Sequence, residues 1–289
     1  NDPHYDDKQI GLHPNTNYPL YTNGHINAEG AWSMGAFGSP DVRIGIFDTG
    51  IRHDHPDFSL DGTTNNLNSL SNTKIKGGRD YSISGYPPVT SQSAEIDLIG
   101  HGTAVAGICG AIRNNGIGVA GVAGGDMNDN NNPGASLYNM KIWANQTSAR
   151  SITCLTPAIL DAVLGSGANG YVNKLDIANY SWGYDSDVIP PLTPVFHNEL
   201  KMNIRFAFEN ELIQVCARGN RLTDLPNYPS SYYEDWQIGD DWLISVGGST
   251  NDGDRHGESN YGIHLDVVAP YYEGMVYTTA NSPGAYRTF

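Results

Sequence analysis

Three polar residues far apart in the chain stand where the pattern around them leaves a reactive side chain in the open: Asp48, His101 and Asn220. Asp48 closes the run Val42-Arg-Ile-Gly-Ile-Phe-Asp-Thr-Gly50, whose apolar, β-rich residues predict a buried strand that Thr49-Gly50 breaks. A carboxylate is thereby delivered to a strand's C-terminal end, the edge at which open α/β sheets build their sites. His101 is held between Gly100 and Gly102 and opens a small, apolar segment that runs to Gly107, as a closely packed helix would. Flanking glycines let the backbone come near a ligand and leave the imidazole uncovered. An Asp that orients a His is two parts of a nucleophilic triad, in which the imidazole moves the proton and the acid holds its tautomer. Asn220 follows the apolar run at 212–217 and then Arg218-Gly219. A carboxamide just past a strand can donate to an oxyanion; the plainer role is to close a Gly-Asn turn.

Phe-Asp-Thr-Gly is also how two-carboxylate proteases write a catalytic loop, but that chemistry needs a second such acid. The chain has no other Asp-Thr-Gly or Asp-Ser-Gly, and the charged Arg52-His-Asp-His55 follows the first. The elements that must position these groups alternate. Strands are predicted before Asp48, over 135–143, 175–180, 212–217 and 242–247, and helices from His101 to about Asn114, over 157–164 and over 195–211. Residues 61–93, rich in Asn, Ser and Gly, read as surface loops, and the Asp126-Met-Asn-Asp-Asn130 run as a solvated insertion. Strands alternating with helices imply a mostly parallel central sheet covered on both faces, a three-layer α/β/α sandwich. No linker divides the 289 residues, so one domain is expected, with an arm over about 1–40.

The 31 acidic and 16 basic residues leave a net charge of −15, which argues against nucleic acid and anionic membrane surfaces as partners. No run approaches the length of a membrane span, and the start, Asn1-Asp-Pro-His-Tyr5, lacks a signal pattern and reads as a mature N-terminus. Cys109, Cys154 and Cys216 have no metal-ligand spacing; Cys109 and Cys216 are expected as buried free thiols, and the state of Cys154 is left open.

Together these segments resemble the subtilisin-like serine proteases, the subtilases. The likeness runs in order through Asp48-Thr-Gly50 with His55-Pro-Asp57, His101-Gly-Thr103, Asn115-Gly-Ile-Gly-Val-Ala-Gly-Val-Ala123, Ala135-Ser-Leu-Tyr138, Tyr180-Ser-Trp-Gly183, Arg218-Gly-Asn220, Tyr228-Pro229 and Leu265-Asp-Val-Val-Ala-Pro270. It departs at Ala104, where the family usually has a second, non-catalytic His. The resemblance implies a secreted endopeptidase acting on polypeptides, with Asp48 and His101 in the triad and Asn220 in the oxyanion hole. It implies pocket walls from Ser181, Trp182 and Gly183 facing Ala217, Arg218 and Gly219, with Arg221 at the rim and Asn227 at the base, and a second substrate-binding edge near 149–153. The rim cation predicts tolerance of acidic or polar side chains before the cut bond; a solvated Arg with broad apolar preference is the alternative. A structural calcium ion is implied on Asp57, Asn115 and the carbonyls of Arg113, Ile117 and Val119, an oxygen-only set that suits a hard cation. The family's nucleophilic serine, in a Gly-Thr-Ser at the head of a long buried helix, has no counterpart in these residues, so a C-terminal complement is the expected partner. The competing reading is an inactive subtilase fold used as a binding scaffold.

Overall fold

The computed structural model describes residues 2–13, 24–64, 66–67, 69–89, 97–144, 152–166, 171–186, 194–232, 242–271 and 276–288. In chain order the strands are β1 (Arg43–Asp48), β2 (Ile75–Asp80), β3 (Ser136–Lys141), β4 (Ile177–Tyr180), β5 (Tyr184–Asp185), β6 (Ile213–Ala217), β7 (Asn227–Tyr228), β8 (Ile244–Ser249), β9 (Val267–Pro270), β10 (Tyr277–Thr279) and β11 (Tyr286–Thr288). The helices are α1 (Tyr5–Lys8), α2 (Ala28–Ser33), α3 (His101–Gly110), α4 (Leu155–Leu164) and α5 (Pro194–Glu209). Seven strands form one sheet in the order β2-β3-β1-β4-β6-β8-β9. Every neighbouring pair in it is parallel. Sequence-distant strands from both halves of the chain therefore share one sheet, and all their C-terminal ends lie along one edge.

Successive residues of a strand face opposite ways, so β1 feeds two cores. Phe47 joins Met140, Ala178, Tyr180 and Cys216 under α4 and α5, whose inner faces are Leu155, Ile159, Ala162, Leu200 and Ile204. Ile44 and Ile46 face the other way and join Leu137, Ile75 and Ala106 of α3. The three layers expected from the alternation are thus present. The α3 side is unevenly covered, however. Ile44 aligns with Ile177 and Ile177 with Ile213, Val215 with Ile244, and Val246 with Val267, so these side chains continue the α3-side face across the sheet. There Ile213, Ile244 and Val267 are 52%, 41% and 50% exposed.

Three expectations are corrected. The polar passage at 61–93 contains β2, which pairs with β3 at the edge of the sheet. Its charges had hidden it, and each finds a partner: Arg79 lies 3.0 Å from Asp161, and Asp80 lies 3.3 Å from Lys141. Just before β2, the buried Lys74 donates to the Pro133 carbonyl at 2.6 Å, and burial pushes its pKa down to about 7. Cys154 is buried, its thiol donating to the Ile142 carbonyl at 3.4 Å as α4 begins, whereas Cys109 is only partly covered; none of the three cysteines is in a disulfide. The Asp126 turn is not simply solvated, since its carboxylate accepts from Arg113 at 2.6 Å and from Asn114 at 2.8 Å. Among the described residues no helix is long and apolar enough to cross a membrane.

Candidate active site

β1 ends on Asp48 and α3 begins on His101, and the two side chains meet at the C-terminal edge of the sheet. The imidazole Nδ1 lies 2.8 Å from Asp48 Oδ1 and 2.9 Å from Oδ2. The carboxylate is wholly buried and also accepts from the Thr49 N–H at 2.7 Å, while the His101 side chain keeps 38% of its surface exposed. Such closeness requires Gly102: a Cβ there would fall 2.2 Å from the Gly50 carbonyl and 3.0 Å from the Asp48 Cβ. Burial alone would lower the pKa of His101, but the hydrogen bond and charge of Asp48, aided by the charge of Asp97 and opposed by Arg287, raise it above 6.5. With Nδ1 turned to the acid, Nε2 is the nitrogen left to take a proton from a nucleophile.

A residue that the sequence reading passed over organises this junction. Asp97, 2% exposed, accepts through Oδ1 from the Thr49 hydroxyl at 2.9 Å, the Gly100 N–H at 2.7 Å and the Ile99 N–H at 3.1 Å. Its Oδ2 accepts from the Thr103 N–H at 2.9 Å and the Thr103 hydroxyl at 2.7 Å. Thr49 in turn accepts the Gly102 N–H at 2.9 Å, and Thr103 accepts the Arg52 N–H at 3.0 Å. Of the N–H groups that open α3, that of Gly102 is thus satisfied by Thr49 and that of Thr103 by Asp97. The two threonines of Asp48-Thr-Gly and His101-Gly-Thr acquire a physical reason, and the only sequence sign of Asp97 was an acid four residues before the histidine.

Asn220 lies past the end of β6, two strands from β1, and is exposed. Its loop hangs from a second overlooked residue, the fully buried Asn260. The Asn260 Oδ1 accepts the N–H of Arg221 at 2.8 Å and of Thr223 at 3.2 Å, and its Nδ2 donates to the Arg218 carbonyl at 3.1 Å. Ala217 and Gly219 leave β6 beside Ser181, Trp182 and Gly183, which leave the neighbouring β4. Ser181 accepts from Asn179 at 2.8 Å. Trp182 is turned into the core, edge-on to Tyr180, Tyr184 and Trp143. Arg218 is fully buried, its Nη2 donating to the carbonyls of Leu225 at 3.1 Å and Tyr261 at 3.0 Å. Its Nε and Nη1 have no hydrogen-bond partner, and burial lowers its pKa. Arg221 lies 3.7 Å from the Asp185 carboxylate, which offsets its charge. Asn227 is buried between the two walls. The expected second edge at 149–153 lies outside the described residues up to residue 151.

Of the expected metal ligands, Asn115 and Val119 contact Asp57, which is fully buried. Asn115 Nδ2 donates to its Oδ1 at 3.0 Å and the Val119 N–H to its Oδ2 at 2.9 Å, while Asn115 Oδ1 accepts from Ile117 at 2.8 Å. Asp2, not foreseen, reaches the same loop by accepting from the N–H groups of Asn114 at 2.8 Å and Gly116 at 3.3 Å. Burial raises the pKa of both acids, that of Asp57 to about 8, with the charge of Asp2 adding to the effect. The carbonyl of Arg113 accepts from Met127 at 3.2 Å. Among the described residues no three His, Cys, Asp or Glu side chains form a metal cluster, so any cation here depends on two carboxylates, an amide oxygen and backbone carbonyls.

This arrangement has known counterparts. The subtilase family model matches residues 39–287. The chain belongs to the subtilase family. A thermophilic serine proteinase of Bacillus sp. is 28% identical over 282 residues, which cover 97% of this chain and 53% of the relative. Thermitase of Thermoactinomyces vulgaris is 26% identical over 270 residues, covering 93% and 72%. The major intracellular serine protease of Bacillus subtilis is 29% identical over 250 residues, covering 85% and 62%. The chain thus spans between about half and three-quarters of the length of these relatives. In fold it is similar to a solved protease structure from Pseudoalteromonas arctica, with a TM-score of 0.68 and 22% identity over 100% of this chain and 81% of the other.

The Asp48–His101 contact makes a prediction for this subtilase that needs no substrate. In an NMR titration the imidazole of His101 will titrate above pH 6.5, and Asp48→Asn will lower its midpoint, because burial is then opposed by the charge of Asp97 alone. Since the folded-state value lies above that of the unfolded chain, the pair stabilises the fold fully below pH 6.5 and its contribution fades as pH rises through the folded value. A midpoint at or below 6.5 in the wild type would contradict the geometry.

Proposed function

We propose that this subtilase is a serine endopeptidase whose nucleophile is carried by a segment beyond Phe289. The observation that carries the reading is the Asp48–His101 pair, 2.8 Å apart with the acid buried and the imidazole half open. A serine hydroxyl placed at Nε2 would lose its proton to His101 as it attacks a peptide carbonyl, and His101 would return that proton to the departing amine. The amide of the exposed Asn220, on a loop fixed by Asn260, is the donor for the resulting oxyanion.

Two features support a covering segment as the serine's source. The α3-side face over β6, β8 and β9 exposes Ile213, Ile244 and Val267, the kind of contiguous apolar surface that a further helix buries. The β10–β11 hairpin is tied to α3 by Thr278 and Thr279, which donate to the carbonyls of Ala104 at 2.9 Å and Thr103 at 2.7 Å. This brings the end of the described chain beside the first turn of α3, where the charge of Arg287 acts on His101. A polypeptide substrate follows from the same reading, and secretion is proposed with it from the family resemblance.

The enzyme purified with its complement is expected to hydrolyse unfolded protein and internally quenched peptides. His101→Ala will lower kcat by roughly 10^6-fold. Asn220→Ala will lower kcat by about 10^2 to 10^3-fold with little change in KM. A folded protein that hydrolyses no peptide, or an Asn220→Ala loss confined to KM, would contradict these roles and favour a binding scaffold.

For the metal set, Asp57 and Asp2 supply two buried carboxylates whose charge burial penalises; a hard cation would relieve that penalty by replacing the N–H groups of Asn115, Val119, Asn114 and Gly116 that their oxygens now accept from. Calcium held by Asp57, Asp2, Asn115 and the carbonyls of Arg113, Ile117 and Val119 would stabilise the fold and take no part in the chemistry. Calorimetry should find one calcium bound per chain, with about 2.7 kcal/mol of added stability at a free concentration 100 times Kd. Both effects should vanish in Asp57→Ala; an unchanged melting temperature on adding calcium would refute the site.

A further inference from the structure

We propose that Asn227 closes the crevice between 181–183 and 217–219, and so restricts the residue before the cut bond to a small, uncharged side chain: glycine, alanine or serine. The inference rests on the protease reading and names its substrate class. β4 and β6 are parallel neighbours, and the segments that leave them part at the sheet's C-terminal edge to form a slot. A peptide running past His101 and Asn220 sends one side chain into that slot.

The slot is already occupied. A Cβ on Gly183 would fall 2.0 Å from Asn227 Oδ1, and a Cβ on Gly219 would fall 2.5 Å from Asn260 Nδ2 and 3.1 Å from Asn227 Nδ2. A single planar amide therefore touches both walls and spans the gap. Its position is fixed from several sides. Nδ2 donates to Asp185 at 2.7 Å, the backbone pairs with Asp185 across β5 and β7, and the N–H donates to Ser231 at 3.0 Å. Ser230 donates to the Asn227 carbonyl at 2.9 Å. Arg218 grips the preceding turn through the Leu225 carbonyl at 3.1 Å. Swinging the amide aside would break its bond to a carboxylate that is largely buried, which makes the plug part of the wall and not a movable lid.

Charge at the mouth is balanced. Asp185 takes the Asn227 amide on one oxygen and lies 3.7 Å from Arg221 on the other. A cation at the rim would have favoured acidic side chains, but here its field is offset by an acid of the same pocket. Neither sign of substrate charge gains, and bulk is excluded by the amide.

The test compares peptides that differ only in alanine or phenylalanine before the cut bond, in the complete enzyme and in Asn227→Ala. Two measurements are made: kcat/KM for hydrolysis, and calorimetric affinity for the corresponding cleaved peptides, which needs no chemistry. The wild type is expected to prefer alanine by about 100-fold, and Asn227→Ala to raise the phenylalanine-to-alanine ratio of kcat/KM by at least 10-fold. The same order should hold in the binding series. Binding that follows this order in a protein that hydrolyses nothing supports the plugged pocket and refutes the protease reading instead. Equal handling of alanine and phenylalanine by the wild type, or no gain for phenylalanine in Asn227→Ala whose circular dichroism and melting temperature match the wild type, overturns the proposal.

Discussion

Five hydrogen bonds converge on the carboxylate of Asp97, and through them the end of β1 and the start of α3 become one rigid object. The constraint behind this is elementary. A helix that begins against a sheet edge must satisfy its first N–H groups without water, and a buried acid must be surrounded by donors. Asp97 meets both demands at once, with Thr49 and Thr103 as intermediaries. The consequence is that the separation of Asp48 from His101 is set by buried polar contacts and not by the rotamers of two exposed side chains. It also places a second negative charge near the imidazole, which adds to the pull of Asp48 on its proton affinity.

The same device recurs around the site. Asn260 satisfies the backbone of the loop after β6, and Asn227 bridges the two walls of the crevice, each a buried polar side chain with its partners supplied by a different segment. Such networks are costly when incomplete and rigid when complete, so they suit positions where a displacement of a fraction of an ångström matters. The sheet itself is less finished. Its α4–α5 face is buried across Phe47, Met140, Ala178, Tyr180 and Cys216, while the α3 side is closed over β1 to β3 and open farther along. An open apolar face on the sheet that carries the Asp48–His101 pair is what the proposed covering element would bury.

Much of this was legible in the amino-acid order. The alternation of strands and helices led to the layered parallel sheet, because apolar periodicity is a local property that survives in a single sequence. Asp48 and His101 were legible because each is framed by residues, glycine above all, that make sense only where backbones come close. β2 was not, since its lysine, arginine and aspartate read as solvent-facing until Asp161 and Lys141, the partners of Arg79 and Asp80, are seen. Asp97, Asn260 and Asp2 were missed for a related reason: each acts on a segment distant in sequence, and nothing beside it in the chain reveals what it will accept or donate. Trp182 and Arg218 were singled out in the sequence as pocket walls, but the direction of their side chains, into the core and toward the 224–225 carbonyls, depends on tertiary packing.

The central claim is that Asp48 and His101 serve a serine hydroxyl contributed by the element that covers the open α3-side face. Reaction of the natively purified protein with a fluorophosphonate, followed by peptide mapping, tests it most directly. The account predicts a single modified serine lying outside residues 1–289, with labelling abolished in a folded His101→Ala variant. A folded protein that takes up no label, or a label on a serine within these 289 residues, would contradict it.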